Sequence, residues 1–176
     1  QINGQPGTNS MITGGVILLF FGLPQVLGSS LYALPFLAAT AAGLAVIARA
    51  WASGWVRLTA YLLQLAVSAS LCITALAGAS QGSALPSTII IAMLLGCITL
   101  YQYRWCRANA PPAGSRFFGQ FDPHDLSAAT LLVAALANGF IVCRSSVCLF
   151  LLDSGASRDN ILRCSQSIII NSAAAG

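Results

Sequence analysis

The chain has 176 residues, 57% of them hydrophobic and 7% charged, with a mean hydropathy of +0.80, where a soluble domain carries about 25% charged residues. All eight cations are arginine and all four anions aspartate, which excludes chemistry built on a glutamate relay or a lysine Schiff base. The net charge of +4 comes from arginines set singly beside apolar stretches, a pattern that sets orientation in a membrane and speaks against nucleic acid as a partner.

A membrane-spanning helix needs about 20 mostly apolar residues. Residues 1–48, 58–103 and 126–143 contain no charge, and they divide into candidate spans at glycine, proline and arginine. A polar segment, 1–10, comes first. It begins at Gln1 rather than Met, as expected of a processed amino terminus or a shortened chain, and QINGQPGTNS has neither the apolar stretch of a signal peptide nor the arginines of a transit peptide. Two short spans follow, about 11–27 and 31–50, joined at GSS (28–30), with Pro24 and Pro35 near their ends. Because about 17 residues is the lower limit for a span, the first stretch is either a span or a broken, re-entrant segment, giving five spans or four.

WASGWVR (51–57) places two tryptophans and a glycine between Arg49 and Arg57, the composition of a turn at the headgroup level. A third span is expected over 56–77. The uncharged loop GASQGSALP follows it, and a fourth span over 86–103 ends in YQYRWCR, a second aromatic and arginine belt. Residues 104–125 form the main hydrophilic loop, broken by Pro111, Pro112, Gly114 and Gly119. Asp125 or Ser127 is placed to cap the fifth span, 126–144 or 126–152. The expected organisation is an all-α, polytopic membrane domain over 11–152 and an extramembrane tail over 153–176.

Arginine counts in the loops put the amino terminus on the positive side (cytosol, matrix or stroma) and the tail opposite. Arg49, Trp51, Trp55, Arg57, Arg104, Trp105, Arg107 and Arg144 are the expected interfacial anchors. Arg144 lies 18 steps from Leu126, about 27 Å of helix against a core of about 30 Å, so it is expected near the far interface, its stem reaching to headgroups.

Gln64, Ser68 and Cys72 recur every four residues and share one helical face, with Ala60 extending the row. In lipid such a face turns toward protein, for interhelical hydrogen bonds of about 0.6 kcal/mol each, or toward a pocket for a lipid, quinone or pigment. Ala38 and Ala42, Ala39 and Gly43, Ala41 and Ala45 form a small-residue ladder on the second span. Ala135, Gly139 and Cys143 repeat that spacing on the fifth, and both ladders suit close helix packing.

FDPHDLS (121–127) gathers the single histidine and two aspartates at one membrane entrance, the composition of a solvated helix cap, although His124 is also able to shuttle protons. The six cysteines form no CxxC pair, and one histidine does not complete a zinc set. A disulfide among Cys143, Cys148 and Cys164 is open, with free thiols the alternative. No nucleophile elbow, HExxH or Walker pattern occurs.

No catalytic residue, metal site or intrinsic cofactor is expected. The reading is a non-catalytic accessory subunit of a large membrane complex, in contact with other membrane subunits and structural lipids. The expected setting is an energy-transducing organelle membrane, the mitochondrial inner membrane ahead of the thylakoid. The alternatives are a small transporter or channel, or a membrane protein that binds lipid, quinone or pigment.

Overall fold

The computed structural model describes residues 6–77, 85–111, 115–120, 122 and 124–153. Among them the structure is all-helical. Helices α1 (Pro6–Leu27), α2 (Ser30–Ala50), α3 (Gly54–Ala77), α4 (Leu85–Ala108) and α6 (Ala129–Asp153) are the long ones, and α5 (Arg116–Gln120) is a short helix in the hydrophilic loop. A single 3-10 turn, Leu126–Ala128, leads into α6. Five segments are long and apolar enough to cross a membrane, the first of them 21 residues long, so the chain has the architecture of a polytopic integral membrane protein.

The joints follow from local chemistry. Gly28 takes φ +65, the left-handed geometry that a glycine adopts freely, and turns the chain between α1 and α2. Pro24 and Pro35 lie inside α1 and α2 rather than at their ends. Pro35, the sixth residue of α2, has no N–H to give the Leu31 carbonyl, so one intrahelical bond is missing there. At WASGW the Trp51 amide bonds back to the Ile47 carbonyl at 2.9 Å and Ala52 takes φ 49. The span of α4 continues five residues past Tyr103, through the aromatic and arginine belt to Ala108.

The positions of one buried row on each inner helix step by four and three residues. In α3 they run Arg57, Tyr61, Gln64, Ser68, Leu71, and in α4 Thr88, Ala92, Leu95, Thr99, Gln102, Cys106. In α6 they run Leu131, Ala134, Asn138, Ile141, Ser145, and in α2 Leu34, Ala38, Ala41, Ala45, Ala48. A 3.5-residue period keeps one narrow seam facing the neighbours along the whole length of a helix. The seam departs from the strict four-residue row at its last member: it passes through Leu71, and Cys72 is half-buried at its edge.

Alanine lets α2 lie close to the bundle, with Ala33, Ala38, Ala41, Ala45 and Ala48 all buried. Ala39 and Gly43 face outward. On α6, likewise, Gly139 and Cys143 are exposed while Asn138 and Ile141 face inward. Helix α1 differs from the rest. It lies against α2 and α3 through Val16, Phe20 and Leu23, yet none of residues 7–27 is fully buried.

Candidate functional site

The arginine-rich end of the bundle is organised around Arg57. Arg57 sits in the first turn of α3 and points inward, 1% exposed, because its position belongs to the buried seam. All five of its N–H groups have acceptors. Nε donates to the Tyr61 hydroxyl at 2.8 Å, Nη1 to the carbonyls of Asn109 at 2.9 Å and Ala110 at 3.4 Å, and Nη2 to the Cys106 carbonyl at 2.8 Å. The second Nη2 proton goes to Asp125, forming a buried ion pair. Tyr61 completes the triangle by donating to the same carboxylate, 2.9 Å from Oδ2.

Arg57 therefore does two things at once. It neutralises Asp125, and it binds the Cys106 carbonyl in the last turn of α4 and the Asn109 and Ala110 carbonyls just beyond it, where a cation also complements the helix dipole. Asn109 reinforces that end: its Nδ2 donates to the Trp105 carbonyl at 2.7 Å, and its Oδ1 accepts from Arg49. Four helices are joined here through two arginines.

The cap of α6 is built differently from the sequence expectation. Asp122, not Asp125 or Ser127, receives the Leu126 amide at 2.5 Å and the Ser127 amide at 2.7 Å. Asp125 makes no side-chain cap; its carboxylate turns inward to Arg57, and its φ of 53 is a conformation that aspartate tolerates. Burial alone would push the Asp122 carboxyl up, but the hydrogen bonds from Ser127 and Leu126 outweigh it and hold the group below the usual carboxylate range. Both aspartates of FDPHDLS are buried, whereas His124 is exposed and offers its backbone carbonyl to Arg107 at 3.4 Å. The motif is a folded joint rather than a solvated patch.

Helix α5 closes the cluster from outside. Phe118 is buried edge-on against Tyr61, ring centroids 6.5 Å apart at 88°, and the guanidinium carbon of Arg57 lies 5.9 Å from both ring centroids. This approach requires Gly54, since a Cβ there would overlap the Ser115 side chain.

A second polar group occupies the middle of the bundle and is neutral. Gln64 Nε2 donates to Thr99 Oγ1 at 2.6 Å, Thr99 donates onward to the Leu95 carbonyl at 2.6 Å, and Asn138 Nδ2 donates to Ser68 Oγ at 3.2 Å. Gln64 and Ser68 thus meet α4 and α6, while Cys72 borders an outer groove with Leu65, Ala69 and Val133. The Gln102 and Asn138 contributions were not marked by the sequence. Their common signal is the same three-and-four spacing that links Gln102 to Thr99 and Asn138 to Leu131.

The remaining anchors fall in three classes. Arg104 and Arg107 are exposed, Trp51 and Trp55 half-exposed, and Trp105 packs onto the arginine cluster. Trp55 Nε1 donates to Thr13 Oγ1 at 3.0 Å, tying α1 to α3. Arg57 and Arg144 turn inward instead of to headgroups. Arg144 is 5% exposed and donates to the Ala75 carbonyl at 3.2 Å, in the last turn of α3. The helix carrying it continues unbroken to Asp153, in line with the longer of the two expected extents.

Cys72, Cys97, Cys106, Cys143 and Cys148 are free thiols, and Cys164 lies outside the described residues. Among the described residues no three histidine, cysteine or acidic side chains gather as a metal set. The chain matches no family model, no curated protein and no solved structure.

Proposed function

We propose that the chain is a non-catalytic accessory subunit of a larger membrane complex, working by helix packing and assembly support. The observation that carries this reading is the contrast between the two kinds of surface on α1. Its inner side touches α2 and α3, while Met11, Leu18, Phe21 and Val26 stand 68–82% exposed on the other side, in a helix that gains little from its own chain. The buried ion pair of Arg57 and Asp125 is consumed in joining helices, which leaves both groups occupied with structural work.

The setting proposed is an energy-transducing organelle membrane, the mitochondrial inner membrane ahead of the thylakoid, with the amino terminus on the positive side by the arginine rule. Partners are other membrane subunits, with lipids filling the remaining surface. Photo-crosslinking from positions 18 and 21 in native membranes tests the proposal. Adducts to a discrete protein partner are expected, and a monodisperse monomer carrying only lipid adducts would refute it.

A second reading, binding of a lipid or quinone, is favoured by one specific feature. Between α1 and α3 runs an apolar groove of about 270 Å³, lined by Val16, Phe20, Leu58, Leu62 and Ala66, with the Trp55–Thr13 hydrogen bond at one end. An amphiphile with an uncharged head fits such a groove. Organic extraction and mass spectrometry of the purified chain, compared with Ala66→Phe, distinguishes this: a bound amphiphile lost on filling the groove supports it. The transport alternative would instead show as substrate flux in reconstituted vesicles, abolished by Gln64→Leu or Arg144→Ala.

A further inference from the structure

Between the middle of the bundle and its arginine-rich end lie buried amide groups that no protein atom satisfies. Gln102 is 1% exposed with neither Oε1 nor Nε2 paired, Gln64 is fully buried with Oε1 unpaired, and Asn138 is fully buried with Oδ1 unpaired. Each has a fixed position. Gln64 is anchored through Nε2 to Thr99, and Asn138 through Nδ2 to Ser68. Gln102 follows Thr99 by three residues on the same seam of α4, about 4.5 Å further along the axis. Asn138 faces Gly96, where an added Cβ would sit 3.8 Å from the asparagine Cβ, so α4 and α6 are close at this level.

The groups lie on three different helices and within about two helical turns of one another. Leaving them unpaired in a low-dielectric interior is costly. Turning an amide over does not cure this: a flipped Asn138 accepts from the Ser68 hydroxyl but exchanges an unpaired Oδ1 for an unpaired Nδ2, and the Thr99 hydroxyl proton is already given to the Leu95 carbonyl.

We propose that this layer is an internal hydration site, binding on the order of two water molecules that bridge Gln102, Gln64 and Asn138. Water is the occupant whose chemistry fits. It donates to the carbonyl oxygens of all three amides and accepts from the Gln102 NH2 group. A metal ion or ammonium would find no anion there, since the nearest carboxylate seen along the seam, Asp125, is already paired with Arg57. The site stops at an apolar layer of Leu71, Ile91 and Ile141 on one side. On the other it approaches Cys106, one turn beyond Gln102. It joins α3, α4 and α6 through shared solvent where direct side-chain bonds fall short.

The test uses the full chain in lipid nanodiscs with nitrogen-15 in glutamine side chains. The Gln102 and Gln64 amide signals, assigned by their loss in Gln102→Leu and Gln64→Leu, are expected to receive magnetisation from water. No transfer to either overturns the proposal. Thermal unfolding gives an independent reading, in which replacing Gln102 by leucine lowers the midpoint if water satisfies the amide and raises it if the amide is dry. Should Gln102→Leu fail to fold, Gln102→Met, closer in shape, carries the same comparison. A stoichiometric organic molecule released from the wild-type chain and absent from either variant would overturn water as the occupant.

Discussion

The bundle holds two polar layers that solve the same problem in opposite ways. At the arginine-rich end the groups are charged and fully paired: every N–H of Arg57 has an acceptor, and Asp125 receives from Arg57, Tyr61 and Ser127. In the middle the groups are neutral and incompletely paired by protein. The difference teaches where each kind of polar group is tolerated. A charge is placed at a helix end, where orphaned backbone carbonyls supply ready acceptors. An amide, cheaper to bury, is placed among side chains at mid-bundle, where the backbone is already satisfied.

The largest effect that sharpens this contrast comes from breaking the ion pair. Arg57→Leu or Asp125→Leu alone strands the other charge and is expected to cost about 3–5 kcal/mol, read by unfolding in mixed micelles. The double variant is expected to be milder than the worse single one. Equal additive losses would mean that the two charges do not depend on each other.

Tyr61→Phe removes one acceptor from Arg57 and one donor to Asp125, with an expected loss of about 1–3 kcal/mol. Gln64→Leu in the middle layer is expected to cost about 0.6 kcal/mol, the typical worth of one interhelical hydrogen bond in a membrane. If Gln64→Leu cost as much as Tyr61→Phe, the division between a strong end layer and a weak middle layer would fail.

The smallest effect is one of pH at the α6 cap. The Asp122 carboxyl is held below its usual range in the folded chain, so its contribution is fully present above the unfolded value of about 3.9. It is lost as pH falls through the lower folded value. Unfolding midpoints measured down from neutral pH are expected to decline below about pH 4, and Asp122→Asn is expected to flatten that decline.

The polytopic helical architecture, with five spans or four, was legible from charge-free stretches divided at glycine, proline and arginine, because a bilayer-length apolar segment leaves few other structures. The direction in which a given arginine points was not. Arg49 and Arg57 flank the same WASGW turn and look equivalent in sequence, yet one reaches Asn109 near the surface and the other is buried. Their difference lies in the phase of α3 relative to α4 and in the fold of a loop 68 residues away that delivers Asp125. Likewise the Gln64 and Ser68 pair was visible as a polar face, but its partners Thr99 and Asn138 become evident only once the three-and-four seams of neighbouring helices are set side by side. The cap passed to Asp122 because Asp125, the nearer choice by position, was taken by a tertiary bond that outranks a local one.

The same long separation has a consequence for synthesis. Arg57 enters its apolar span before the residue that neutralises it exists: at about 5–20 residues per second, the ribosome needs about 3–14 s more to reach Asp125. During that interval the third span carries an uncompensated cation at its leading end. The ion pair that joins α3 to the α6 cap therefore forms only after the fifth span has begun to be made.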